Sequence, residues 1–413
     1  SRGLGDVYKR QVRMTWGKAL TLWTDGVEQS MAYGQALNDA YALDGRDPSS
    51  VVGVQWCHGL FDRPFHPPAP ILGLVRQRDL RTHMSRLDMD AYRAHTDRPA
   101  SETSHPIVVI GAGLAGAVAA RLLADHGFDV VVLDKGRRVG GRCSRRALDD
   151  VVVTHGARHV HDWPEWMTAW CDGENTVMVQ DGSTTSLRLM DGPETIAGWL
   201  NGIDVVTGTT VVRIEQSDDQ WHVHDEEGNR WEATGVVVTA PLPQLHRMMP
   251  GAPESWSNHA YRPTWSLVLA HGTPPPAAFR PTLENLGFEV EESDGTTGAV
   301  VHFPHDWSQS HLEDERTDVV QAFMDMTSGV DNEVLDWLKS ATCQSHRWRY
   351  GRADALGVES AFPRLVEAGD AWETPVGTGG AALRSGAWAA AHMAWQCSQH
   401  LRPASAPVQQ TLF

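Results

Sequence analysis

The sequence predicts an α/β fold, a parallel sheet wrapped by helices, with a second α+β layer inserted into it. Three observations carry this. Val108–Val109–Ile110 is a short apolar run followed at once by glycines at 111, 113 and 116. A helix-forming stretch, Leu114–His126, comes next, with Ala115, Val118, Ala119, Leu122 and Leu123 along one face. A second apolar run, Val130–Leu133, ends on Asp134, 23 positions after Gly111. Strand, glycine turn, helix, strand and acid in this order make the βαβ unit of a Rossmann-like dinucleotide-binding domain.

Each element has a physical reason. An uninterrupted apolar strand suits a sheet buried on both faces. Gly111 permits a tight turn, Gly113 lets the backbone approach a pyrophosphate, and Gly116 lets the helix pack close to the strand. Leu114 and Ala115 open a helix whose unpaired N–H groups and positive dipole end suit a phosphate. Gly127 stops that helix. Asp134 is placed to accept hydrogen bonds from ribose hydroxyls and to repel a 2′-phosphate, which disfavours NADP.

The next segment, KGRRVGGRCSRR (residues 135–146), favours FAD over NAD. Lys135, Arg137, Arg138, Arg142, Arg145 and Arg146 put positive charge beside the expected pyrophosphate. Gly140 and Gly141 again allow close backbone approach.

With this segment the chain resembles the FAD-binding fold of the amine oxidase superfamily, of the glutathione reductase type, and within it the renalase-like branch. Further matching strings follow in order. THGARHV (154–160) resembles the segment beside the flavin, although relatives often carry an aspartate where this chain has Thr154. GTTVVRIEQ (208–216) resembles the strand whose backbone, at Val212, touches adenine. VVVTAPLPQ (236–244), with Ala240, resembles the return to the nucleotide domain. HRWRYG (346–351) is distinctive of the branch. LVEAGDAW (365–372), with Gly369 and Asp370, and LRSGAWAAAHMA (383–394) resemble the closing motif and final helix. The resemblance implies that Asp370 serves the ribityl chain or a phosphate-bound water, and that Ser385–Gly386 open a helix facing the flavin pyrimidine ring. It also implies non-covalent FAD taking a hydride at N5 from a small organic substrate, such as a dihydronicotinamide or an amine, with O2 or another acceptor restoring the flavin.

The FAD domain is expected at 106–160, 205–250 and 346–400, and the substrate domain at 161–204 and 251–345, with a tail at 401–413. A helix is expected from Gly192 to Leu200 behind Asp191, and another over Asp331–Lys339. His155, His346, Arg349 and Tyr350 are the candidate catalytic residues; with His159 and Arg347 they suit a polar or anionic substrate. No motif for a metal site or a Ser–His–Asp nucleophile is present.

The first hundred residues read differently. DVYKRQ, inside Ser1–Gln11, matches what a sequencing adapter encodes, so 1–11 is expected to be non-native. Residues 12–95 contain WGKALTLW, LDGRDPSS and VQWCHG. They resemble a mostly helical carboxyl-terminal piece of class II photolyases, which repair cyclobutane pyrimidine dimers. That resemblance places Trp16 and Trp23 on an electron path, Asn38 beside flavin N5 and Trp56 against the lesion. Residues 96–105 read as a linker.

Over 413 residues the net charge is −17, which argues against nucleic-acid or anionic-membrane partners for the whole chain. Residues 12–95 carry nine basic and nine acidic residues. No apolar run reaches membrane-spanning length. Five scattered cysteines suit a reducing, cytoplasmic setting.

Overall fold

The computed structural model describes residues 4–24, 26–41, 47–76 and 103–398, apart from 165–166, 168–169, 171–174, 182–183, 294, 328 and 360–361. Three helices come first: α1 (Leu4–Trp23), α2 (Val27–Tyr41) and α3 (Pro48–Cys57). Helix α1 crosses the expected 11/12 boundary without a break. Most of the expected linker and all of the 401–413 tail lie outside the described residues.

From Ile107 the chain alternates strand and helix: β1 (Ile107–Ile110), α4 (Leu114–Asp125) and β2 (Val130–Asp134). A ribbon follows, β3 (Arg145–Leu148) and β4 (Val151–Thr154), then β5 (His159–Val160), β6 (Thr176–Asp181), β7 (Thr184–Leu189) and α5 (Gly192–Trp199). Strands β8 (Asp204–Thr207), β9 (Val211–Ser217), β10 (Gln220–Asp225), β11 (Arg230–Ala233) and β12 (Gly235–Val238) lead to α6 (Leu242–Met248) and the long β13 (Tyr261–His271). Next come α7 (Arg280–Asn285), β14 (Phe288–Ser293), β15 (Thr296–His302), α8 (His305–Ser310), α9 (Arg316–Met326) and α10 (Asn332–Ser340). The chain closes with β16 (Thr342–Ala353), β17 (Leu365–Glu367) and α11 (Gly379–Ser398).

Five strands form one parallel sheet in the order β17-β12-β1-β2-β8. All four residues of β1 and of β12 are buried, as the apolar run predicts. Each such Val or Ile contributes about 1.5–3 kcal/mol through burial. Helix α4 is the buried centre of this layer, with eight residues from Leu114 to Leu123 out of solvent. Helix α11 lies on it, and Gly386 makes the contact close, since a Cβ there would stand 2.3 Å from the Ala115 carbonyl oxygen. Ser385–Gly386 are expected at the start of this helix. The helix starts at Gly379, with the Thr378 hydroxyl accepting from Ala381 N at 3.0 Å, so these two residues sit in its second turn.

The second layer is an antiparallel sheet in the order β14-β15-β13-β16. His346–Ala353 is not part of the nucleotide sheet: β16 pairs with β13, with His346 opposite Ser266. The parallel sheet takes its last strand from Leu365–Glu367. The 161–204 segment, assigned from sequence to the substrate side, instead sends Leu187, Leu189, Ile196, Trp199 and Leu200 into the core around α4. The two expected helices form within a residue or so of their expected bounds. Asp191 caps α5 through Glu194 N at 3.2 Å, and Asp331 caps α10 through Glu333 N at 2.8 Å. No described helix is long and apolar enough to cross a membrane.

Candidate functional site, a dinucleotide cradle

The glycine turn forms at the carboxyl end of β1, the edge of a parallel sheet where α/β proteins bind ligands. Gly111 has φ +103°, open to glycine and strained for other residues. A Cβ on Gly116 would lie 1.8 Å from the Gly111 carbonyl oxygen, so only glycine lets α4 start this close to the strand. Gly113 is the extended N-cap and no side chain caps the helix. The first-turn N–H groups at Leu114, Ala115 and Gly116, with the dipole behind them, suit an anion.

A second glycine pair closes onto the first. Gly140 N donates to the Ala112 carbonyl at 2.9 Å, and a Cβ on Gly141 would stand 3.0 Å from Gly113 Cα. Two backbones without side chains thus face each other across the turn. Asp134 braces the same place. Its Oδ2 accepts from Ala112 N and its Oδ1 from Gly136 N, both at 2.6 Å. The sequence assigned this acid to ribose hydroxyls; in the structure it also fixes the two turns, and each oxygen keeps a second lone pair.

Of the six cations in the basic run, Arg142 is the one that joins the far side of the cradle. Its two terminal nitrogens donate to Asp370 Oδ2 at 2.8 Å and Oδ1 at 2.7 Å, and Nη1 also donates to the Gly351 carbonyl at 3.0 Å. Ala353 N donates to Asp370 Oδ2 at 2.8 Å. Burial by itself would raise the Asp370 carboxyl, but the Arg142 charge and these donors hold it below the ordinary carboxylate range. The pair also ties the end of β16 to the nucleotide sheet. Arg145 is turned to Asp191 and Arg146 to His346. Lys135, Arg137 and Arg138 are exposed.

The remaining cofactor candidates divide. Ala240, Gly369 and Asp370 line one small cavity with Arg142, Thr239, Tyr261 and Trp372. Ser385 is buried and holds Gly369 in place, its hydroxyl 2.9 Å from both Gly369 N and Gly369 O. Val212 projects outward from β9, 45% exposed, while Val211 is buried. Sequence reasoning missed Tyr261, which joins the cradle from β13 and whose hydroxyl accepts from Leu242 N at 3.2 Å. Burial pushes its phenol up to about 12.

The candidate catalytic residues form two groups. His155 and His346 come together with ring centroids 4.8 Å apart, and Trp348 stacks on His155 at 5.3 Å and meets His346 edge-on at 4.2 Å. Burial, then the neighbouring His346 and Arg146 charges, push His155 down to about 3; burial, then Arg146 and Arg316, push His346 down to about 4. Both imidazoles are therefore neutral at pH 7. Arg349 and Tyr350 lie elsewhere. Arg349 is held by Glu313 at 2.6 and 2.8 Å, and Tyr350 packs edge-on against Tyr261 at 5.3 Å.

The sign of the resulting pH dependence follows. A histidine whose folded pKa lies below 6.5 leaves the unfolded chain to bind the proton first. Its contribution is whole above pH 6.5 and is lost as pH falls toward 4 and 3, at up to about 1.4 kcal/mol per pH unit for each ring. Urea unfolding at pH 7, 6 and 5 is expected to show a steeper acid loss for the native chain than for an H155Q/H346Q double variant. Equal slopes in the two proteins would remove the histidines from the account.

Near the amino terminus, α1, α2 and α3 pack together. Gly17 admits Cys57, and His58 bonds Ser30 Oγ at 2.7 Å and the Val54 carbonyl at 2.9 Å. Asn38 is buried, whereas Trp16 and Trp56 are 45% and 47% exposed. The Trp23 side chain lies outside the described residues.

Residues 109–172 match the family model of the NAD(P)-binding Rossmann-like domain. A zeta-carotene-forming phytoene desaturase of Myxococcus xanthus is 50% identical over 50 residues, 12% of this chain and 10% of that protein. An L-amino-acid oxidase of Notechis scutatus scutatus is 39% identical over 69 residues, 16% of this chain and 13% of that protein. A deoxyribodipyrimidine photo-lyase of Oryza sativa subsp. japonica is 36% identical over 94 residues, 22% of this chain and 18% of that protein. This chain thus spans under a fifth of the curated relatives' lengths. A solved putrescine oxidase structure aligns with TM-score 0.47 and 13% identity, covering 70% of this chain and 98% of that one. Geometry and family model agree on the central unit: residues 109–172 belong to a Rossmann-like dinucleotide-binding domain.

Proposed function

We propose that residues 103–398 form an FAD-dependent oxidoreductase of amine oxidase type that oxidises a small organic substrate, a dihydronicotinamide or an amine. The observation that carries this reading is the doubled glycine cradle, Gly113 facing Gly141 with Arg142 paired to Asp370 behind it. It fits a dinucleotide pyrophosphate: backbone approaches where a Cβ would clash, and an uncapped helix start offers N–H donors. Bound FAD supplies the hydride acceptor, and O2 or another acceptor regenerates it.

This chain's residues do the rest. The glycine turn and the first turn of α4 hold the pyrophosphate. Asp134, with its remaining lone pairs, takes ribose hydroxyls. The Arg142–Asp370 pair fixes the distance between the nucleotide sheet and β16. On that strand, His346 and His155 meet as neutral imidazoles at pH 7, able to hydrogen-bond a polar substrate but too weakly basic to serve as the proton acceptor. Purified full-length protein is expected to show an oxidised-flavin absorption spectrum that bleaches anaerobically with a dihydronicotinamide or an amine. A colourless protein that binds no added FAD sinks the reading.

The amino-terminal segment supports a second reading, a link to light-driven repair of cyclobutane pyrimidine dimers. Its support is the 36% identity to the rice photo-lyase over 94 residues. Dimer-containing DNA left unchanged under blue light, with and without an added photolyase, removes that link.

A further inference from the structure

Arginines around the four-stranded sheet mostly have acids. Arg142 has Asp370, Arg145 has Asp191, Arg158 has Glu289 and Glu291, Arg262 has Asp354, and Arg347 and Arg349 share Glu313. Arg146 is different. It is partly buried between the β3–β4 ribbon and edge strand β16, and its donors go to neutral acceptors: Nη2 to His346 Nδ1 at 3.1 Å and Nη1 to Gln344 Oε1 at 3.4 Å. Among the described residues no carboxylate meets it.

The surroundings strengthen the contrast. Arg316, at the first turn of α9, makes no ion pair among the described residues, and its charge reaches both Arg146 and His346. His155 is 3% exposed and lies against His346 and Trp348, with ring centroids 4.8 and 5.3 Å away. Trp348 is fixed by its Nε1 donating to Ser266 Oγ at 3.1 Å, and Ser266 in turn bonds His302 Nδ1 at 2.7 Å. The corner therefore holds cations, neutral imidazoles and a held aromatic face, in a chain of net charge −17. It adjoins the cradle through the backbone: Ala157 N donates to the Arg142 carbonyl at 2.8 Å, two residues from His155.

We propose that Arg146, with His346, Arg316 and His155 around it, is a binding site for an oxyanion, a phosphate or carboxylate carried by the substrate, whose flat part lies toward Trp348. This rests on the oxidoreductase reading for its meaning, though the anion site itself does not need flavin chemistry. A charged, planar guanidinium spends its donors better on an oxyanion than on an imidazole nitrogen and an amide oxygen. The site also separates two sets of arginines that look alike in sequence: Arg347 and Arg349 share the Glu313 carboxylate, and Arg146 meets no carboxylate among the described residues.

The test is titration of full-length protein, saturated with FAD so that the cradle is filled, with inorganic phosphate and with acetate, read by calorimetry and by the His346 imidazole NMR signals. Saturable binding is expected, weakened about ten-fold or more in R146Q, and little changed in R349Q. Bound anion is expected to raise the His346 pKa. Tighter phosphate than acetate assigns a phosphorylated substrate, and the reverse a carboxylate. Equal binding in R146Q and the native chain, or no binding of either anion, overturns the proposal. The flavin spectrum is measured on the same samples. A normal spectrum with no anion site leaves the oxidoreductase reading standing, while loss of flavin from the native chain fails that reading separately.

Discussion

Gly116→Ala is expected to abolish stable dinucleotide binding and to cost about 2–3 kcal/mol of folding stability. The added Cβ would stand 1.8 Å from the Gly111 carbonyl oxygen, a backbone atom that no rotamer change moves away. Either α4 slides back from β1 or the turn opens. Both displace the first-turn N–H groups that would hold the pyrophosphate in the proposed cradle. A loss of 1.4 kcal/mol in those contacts is about ten-fold in affinity, and more than one contact is affected. Gly198→Ala is the internal control. It sits exposed in α5 with nothing within 4 Å of the added Cβ, so the same substitution is expected to stabilise by about 0.5–1 kcal/mol. Thermal stability of the two variants is expected to move in opposite directions, with flavin stoichiometry falling only in Gly116→Ala. A Gly116→Ala protein with native flavin content and stability would refute the close-packing argument.

Asp370→Asn is expected to be the next most damaging change. Asp370 is 6% exposed and answers three donors: both terminal nitrogens of Arg142 and Ala353 N. An amide keeps one acceptor oxygen and turns two N–H donors toward a cation. Breaking one side of a buried pair costs about 3–5 kcal/mol. Arg142 is 38% exposed and so partly screened, which brings the expected loss to about 2 kcal/mol. The functional loss is larger than the stability loss, because the pair holds β16 against the nucleotide sheet through Gly351 and Ala353. FAD affinity measured by fluorescence quenching is expected to fall at least ten-fold, with Asp370→Glu recovering part of it. An Asp370→Asn variant that binds flavin like the native chain would show that the pair is incidental.

The βαβ unit was legible because its determinants are local. An apolar run, three glycines at set offsets and an acid after a second run occupy positions 108–134, and each acts within a few residues of itself. The two capped helices after Asp191 and Asp331 were legible for the same reason: a cap bonds N–H groups two or three residues away. The basic run shows where local reading stops. Its six cations are equivalent as a string. Only the fold turns Arg142 to Asp370, 228 residues away, Arg145 to Asp191 and Arg146 to His346.

The same limit governs the second layer. HRWRYG stood out as a string, but a strand does not state its partner. Pairing with β13, 80 residues earlier, took it out of the nucleotide sheet. An apolar pattern does not name its core either, so the 161–204 segment joined the layer around α4. Sequence by itself determined that this chain folds a dinucleotide turn on a parallel sheet, since backbone sterics at Gly111, Gly113 and Gly116 leave few other uses for that spacing. The tertiary structure alone decided which charges are neutralised and which histidines meet, because the Coulomb energy and desolvation that set their chemistry depend on neighbours about 200 residues away in the chain.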